Sequence, residues 1–222
     1  MIAVISADFI SSTAYSQELM QELLSRLKQE FSYIQNEFSS RPDFKIYRGD
    51  SFQGIVKKPS ESLRIALILK TAINKVSEEK SDKGTSKKTA EVRMGIGIGT
   101  YDFKRKTISE ANGQAFQFSG RTLDNLKAEN RKTKLTTEDE AINKEFDASF
   151  YLLDTLTEKW SIASAEVVYY LLKGLKETEI ADKLKISQPA VNQRKKAAGW
   201  DAIEKLLDRF EEVISQKFTD GK

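Results

Sequence analysis

Met20, Leu23, Leu24, Leu27, Phe31, Ile34 and Phe38 recur at intervals of three and four, which gathers apolar side chains on one face of an α-helix. The pattern predicts a long amphipathic helix from about residue 16 to 38, ended by Arg41-Pro42-Asp43. Before it, Met1-Ile2-Ala3-Val4-Ile5-Ser6-Ala7-Asp8 is a nearly unbroken apolar run, which reads as a buried strand ending on Asp8. After it, two short apolar runs flank Arg48-Gly49-Asp50, so a hairpin is expected with Asp50 at its tip. A second helix opens at Pro59-Ser60-Glu61 and runs through Val76, and the charged stretch from Ser77 to Ala90 reads as a loop. Val92-Arg93-Met94-Gly95-Ile96-Gly97-Ile98-Gly99 alternates with period two and has glycine on one face. That suits a central strand approached by another backbone or a ligand, or one on which a helix packs tightly; the alternation leaves both open. A strand near 100–106, a helix from about 114 to 127 and a short strand at 134–137 follow.

This order predicts an α+β fold with helices on one face of a mainly antiparallel sheet. Near Phe146–Ser149 the pattern becomes wholly helical, and Phe150, Leu153, Leu156 and Trp160 mark an apolar connecting helix. We therefore place a domain boundary between residues 146 and 147, giving segments 1–146 and 147–222.

Composition narrows the chemistry. The 222 residues contain no cysteine and no histidine, which excludes disulfides, Cys/His zinc sites, a cysteine nucleophile and any histidine-based triad. The net charge of +3 is too small to argue for nucleic acid by itself. The N-terminal apolar run is short and lacks a basic leader, and the longest apolar stretch is interrupted by Lys70, so a cytoplasmic protein with no membrane partner is expected.

In the helical segment, Glu177–Leu184 and Gln188–Lys196 read as two short helices joined by Lys185-Ile186-Ser187. Ser187 is a suitable N-cap and Pro189 falls in the first turn, while Ile180, Ala181, Leu184, Ile186 and Val191 supply a small core. The arrangement resembles a helix-turn-helix that would lay its second helix in the major groove of a DNA duplex. Gln188, Asn192, Gln193 and Lys196 would then face bases, and Arg194 and Lys195 phosphates. Lys185 stands where many such turns carry glycine. A final helix bearing Trp200, Ile203, Leu206, Leu207, Phe210 and Val213 would support the unit or pair two copies.

The remaining chemistry rests on Asp8 and Asp50, a strand-end and a hairpin-tip carboxylate that could converge on divalent metal ions, since Mg²⁺ favours one or two carboxylates plus substrate phosphates. Asp8, Gly49-Asp50 and Val92-Arg93-Met94-Gly95-Ile96-Gly97 together resemble the ferredoxin-like palm domain of class III nucleotidyl cyclases. Gly113-Gln114-Ala115-Phe116-Gln117-Phe118-Ser119-Gly120-Arg121 extends the resemblance, with Gln117 where that family has asparagine. The resemblance implies that Asp8 and Asp50 hold Mg²⁺ or Mn²⁺ on a nucleoside triphosphate, Arg121 neutralises charge on the transferring phosphoryl group, and Gln117 orients the ribose. It further implies that Phe9, Ser11, Gly49, Gly113 and Gln114 line the nucleotide, and that a head-to-tail homodimer shares each site. Arg48-Gly49-Asp50-Ser51-Phe52 lacks the second acid of the diguanylate cyclase hairpin, so cyclic-di-GMP synthesis is not expected. Nearly the whole chain, including Ile5-Ser6-Ala7-Asp8, Tyr47 through Gln53, Ser109 through Phe116 and the helix-turn-helix, is similar to the SatD family of bacterial proteins. The expected function is a DNA-binding regulator whose cyclase-like domain senses a nucleotide and metal. The alternatives are an active nucleotidyl cyclase controlled by its helical domain, and an inert dimerisation scaffold.

Overall fold

The structure, a computed structural model, describes residues 1–77, 89–101 and 113–218. Its centre is β1 (Ile2–Phe9), which pairs antiparallel with β3 (Ser51–Val56) on one side and β4 (Val92–Gly99) on the other. β2 (Asp43–Tyr47) forms the hairpin with β3, and β5 (Thr133–Thr136) adds to β4 in parallel, so the sheet order is β2-β3-β1-β4-β5. Strand alternation divides β1 between two faces. Ala3, Ile5, Ala7 and Phe9 join Phe52, Val56, Met94, Ile96 and Ile98 in the main core. Ile2, Val4, Ser6 and Asp8 lie across from Gly99, Gly97, Gly95 and Arg93 on the other face.

Two helices cover the first face. α1 (Gln17–Glu37) starts where the Ser16 hydroxyl accepts from the Leu19 N–H at 3.1 Å, and buries Leu19, Leu23, Leu27 and Ile34. α2 (Ser62–Asn74) is buried along nearly its whole length, Lys70 and Thr71 included, because helices of the C-terminal half cover its outer side. The expectation of helices on one face only does not hold, since α3 (Gln114–Ala128) lies on the opposite face. The glycines of β4 are the reason. A Cβ at Gly97 would stand 2.3 Å from the Ala115 carbonyl oxygen and 2.4 Å from the Ser119 nitrogen, so the bare strand is what α3 rests on.

Beyond β5 run α4 (Glu140–Thr157), α5 (Ile162–Leu172), α6 (Glu177–Leu184), α7 (Gln188–Ala197) and α8 (Trp200–Lys217). Among the described residues the fold is thus mixed α and β, with five strands and eight α-helices. Residues 146 and 147 both lie inside α4, whose Phe146 and Phe150 pack against Phe210 of α8 with ring centroids 5.1 and 6.2 Å apart. A continuous apolar cluster runs from β1 to Phe218, and the apolar stripe of α8 is buried in it. Arg131 ties the start of β5 to α4 through an ion pair with Asp147 at 3.0 Å, and Asp154 accepts the N–H groups of Lys132 and Thr133 at 2.8 and 3.0 Å. Most of the loop expected at 77–90 and of the strand expected at 100–106 lies outside the described residues, though Thr100 and Tyr101 are not in a strand. No described helix is long and apolar enough to cross a membrane.

Candidate functional site

The hairpin expected around Gly49 is present. Arg48 and Gly49 both adopt left-handed backbone (φ 51° and 78°), and a Cβ on Gly49 would meet nothing within 4 Å, so conformation rather than crowding calls for glycine there. Beside it, the Asp50 carbonyl accepts from the Phe9 N–H at 2.9 Å, which brings the hairpin tip to the end of β1. The two carboxylates nonetheless have separate partners. Asp50 Oδ2 accepts from the Ser12 hydroxyl at 2.9 Å. Asp8 is held bidentately by Arg93, with Nε to Oδ1 at 3.0 Å and Nη2 to Oδ2 at 2.8 Å. The pair follows from register, because Asp8 and Arg93 are direct cross-strand neighbours.

Of the flanking residues, Phe9 is buried in the main core and tilted against the Tyr15 ring, so its side chain does not face a ligand. Ser11 is exposed and left-handed (φ 56°) at the turn after β1. Gly113 caps α3 at φ 140°, a conformation open to glycine. Gln114 turns toward the sheet, where its Oε1 accepts from the Thr100 N–H at 3.4 Å. On α3, Ala115, Ser119, Thr122 and Leu126 are buried, whereas Gln117 and Arg121 are exposed. At 100° per residue these two lie on the helix face turned away from the sheet. One chain therefore does not bring Gln117 and Arg121 to Asp8 and Asp50. Asn112 and the residues just before it lie outside the described residues.

A cavity of about 270 Å³ borders Arg93 and is also lined by Glu91, Arg131, Lys132 and Glu158. Its charges are largely paired, with Lys132 Nζ 2.9 Å from Glu91 and 3.3 Å from Glu158. Burial opposes the charge on Lys132, but those carboxylates outweigh it and its pKa is raised. Among the described residues there is no group of three or more carboxylates able to surround a metal. Asp8 and Asp50 fit a metal site only where nucleotide phosphates supply further oxygens and Arg93 leaves Asp8. As arranged, Arg93 already neutralises one of the two donors.

In the helical half, Lys185 adopts the left-handed conformation (φ 53°) at which glycine was the expected residue. Ser187 caps α7 by accepting from the Ala190 N–H at 3.4 Å. Val167 of α5, Ile180 and Ala181 of α6 and Val191 of α7 form a small core of their own. Glu177 at the start of α6 holds both Asn192 (3.4 Å) and Lys195 (3.2 Å), which turns these two toward α6. Gln188, Gln193 and Lys196 are exposed and Arg194 half-buried. Neither Arg194 nor Lys196 makes an ion pair among the described residues.

No known protein family's sequence profile matches this chain, and no curated protein sequence matches it. Sequence reasoning quoted Arg93 only within a motif and missed its hold on Asp8; pairing the first strand antiparallel with the glycine strand would have found it.

Proposed function

We propose that the chain is a DNA-binding transcriptional regulator of the SatD type, in which a nucleotidyl-cyclase-like domain senses a nucleotide with a divalent metal. The observation that carries the reading is the outer side of α7, which presents Gln188, Gln193 and Lys196, with Arg194 beside them, and has no acidic residue along its length. In this reading α6, the left-handed turn at Lys185 and α7 form a helix-turn-helix, with Glu177 holding Asn192 and Lys195 so that α7 enters the groove as a rigid unit. The first four strands and two helices, in the order β-α-β-β-α-β with β1 central, are read as a ferredoxin-like palm. Asp8, paired with Arg93, supports a sensor: taking a metal and nucleotide would require Asp8 to exchange one cation for another, and that exchange is a switch. Occupancy of that site would alter how two copies of α7 are held.

A second reading, an active nucleotidyl cyclase, draws on the outward placement of Gln117 and Arg121. Both side chains are exposed and so open to a second copy, and the cyclase resemblance implies that a head-to-tail homodimer would bring them to the site of the other subunit.

The test has two arms. Duplex fragments should be retained with log affinity falling linearly in log salt, and Arg194→Ala with Lys196→Ala should weaken retention and flatten that slope. Salt-independent or absent retention would sink the DNA reading. Thermal shift with each nucleoside triphosphate should show a Mn²⁺-dependent rise that Asp8→Ala removes, and turnover to a cyclic product would replace the sensor with the enzyme.

A further inference from the structure

We propose that the crevice where α1, α2, α5 and α6 meet is a binding site for a compact phosphate-bearing anion. The proposal stands independently of the function above. The crevice is a cavity of about 300 Å³, at the small end of the range for ligand pockets. Arg26 enters it from α1, Lys75 from the end of α2, Lys173 from the C-terminal cap of α5 and Lys183 from α6, so cations from four elements converge. Three tyrosines complete the wall: Tyr33, Tyr169 and Tyr170.

The floor is already satisfied. Glu30, 3% exposed, accepts from the Tyr169 hydroxyl at 2.6 Å and lies 2.8 Å from Lys173 Nζ. Lys173 also donates to the Tyr169 hydroxyl and sits 3.5 Å above the Tyr33 ring. One carboxylate and one cation are thereby used on each other. The remaining three cations are not matched. Arg26, Lys75 and Lys183 make no ion pair among the described residues. Lys75 finds only aromatic faces, 3.8 Å from the centre of the Tyr169 ring and 5.0 Å from that of Tyr170. The other carboxylate whose field reaches Lys75 is Glu166, which also forms no ion pair.

Arg26 and Lys75, both partly buried, and Lys183 at the rim share only Glu166 and the already paired Glu30 as nearby carboxylates, and burying cations with so little counter-charge is costly, which favours an anion in the crevice. Burial is the main cause, and Arg26 and Lys173 add to it, of a Lys75 pKa pushed down to about 8. A single carboxylate ligand would leave most of the surplus charge unmatched. A phosphate carries close to two charges and several acceptor oxygens, which suits three donors approaching from different sides. The volume admits inorganic pyrophosphate or a nucleoside monophosphate, but not a polymer.

Isothermal titration of the full chain with inorganic pyrophosphate and with adenosine monophosphate tests this, the two probes separating a free phosphate from one carried on a nucleoside. Saturable one-to-one binding of at least one probe is expected, weakened at least about tenfold by Arg26→Gln and by Lys75→Gln. Lys144→Gln, at an exposed position on α4, should leave it unchanged. Lys183→Gln, an exposed side chain at the rim, repeats the test if either of the first two variants loses its fold by circular dichroism. The proposal is overturned by no saturable binding to wild type, or by unchanged affinity in the folded crevice variants. Binding lost in Asp8→Ala but kept in Lys75→Gln would also overturn it, placing the anion at the sheet end instead.

Discussion

Replacing Gly97 with alanine tests the central packing decision of the fold. The added Cβ would stand 2.3 Å from the Ala115 carbonyl oxygen, 2.4 Å from the Ser119 nitrogen and 2.9 Å from the Phe118 Cβ. The first two are backbone atoms of α3, so no side-chain rotation relieves the clash, and the helix has to lift by about 1 Å to restore ordinary contact. Lifting stretches the 2.9 Å hydrogen bond from Ser6 to Ser119 and opens the small cluster of Ile2, Val4 and Ala115. Overpacking of this kind costs about 1–3 kcal/mol and a weakened buried hydrogen bond about 1 more. With a urea slope of about 2–3 kcal/mol/M for a chain of this size, the unfolding midpoint should fall by roughly 1 M with the slope unchanged. Gly120, on the same helix, has nothing within 4 Å of an added Cβ, so Gly120→Ala should stabilise by up to about 1 kcal/mol. A Gly97→Ala midpoint within error of wild type, or an equal loss in both variants, would refute the seating of α3 on the glycine strand.

Other outcomes follow from single contacts. Lys75, whose pKa is pushed down to about 8 mainly by burial, takes up a proton more readily when unfolded, so stability should rise as pH increases from about 8 to 10.5. Lys75→Met should reduce that rise, to which Lys70 and Lys173, their pKa values also lowered by burial, contribute, and, allowing for the solvent that still reaches the group, add about 1–2 kcal/mol at neutral pH, measured by denaturation across pH; an unchanged pH dependence in the variant would refute it. Lys185→Gly should stabilise by about 0.5–1 kcal/mol, because the left-handed backbone disfavours a side chain, and a loss in melting temperature would count against that turn. Arg93→Gln should tighten Mn²⁺ at Asp8 by roughly tenfold in an electron paramagnetic resonance titration, since a charge-assisted competitor is removed, and unchanged affinity would dismiss the cation exchange.

The amphipathic spacing of α1 and α3 and the turn residues at 48–50 are local signals, and those elements fall within a residue or two of where the pattern puts them. The glycine alternation of β4 told that something lies close against it, but not whether a helix or a ligand. That choice depends on which face α3 occupies, which no short window contains. The hold of Arg93 on Asp8 joins residues 85 positions apart, and Tyr169 reaches Glu30 across 139. Glu30 stands beside the apolar stripe of α1 as one more charge, and its burial becomes visible only once α5 is laid beside α1. Gln117 and Arg121 share a face as their spacing says, yet spacing is silent on whether that face meets the sheet or solvent.

The central position of β1 has a consequence for synthesis. It leaves the ribosome before both of its neighbours, and β4 is complete only some ninety residues after β1. At translation rates of about 5–20 residues per second, an apolar strand whose β4 edge stays open waits roughly five to twenty seconds for its second partner. Only α1, the next element made, is available early to shield one of its faces. Slow or paused translation between residues 60 and 92 should therefore expose this strand to aggregation, and fast delivery of β4 should protect it.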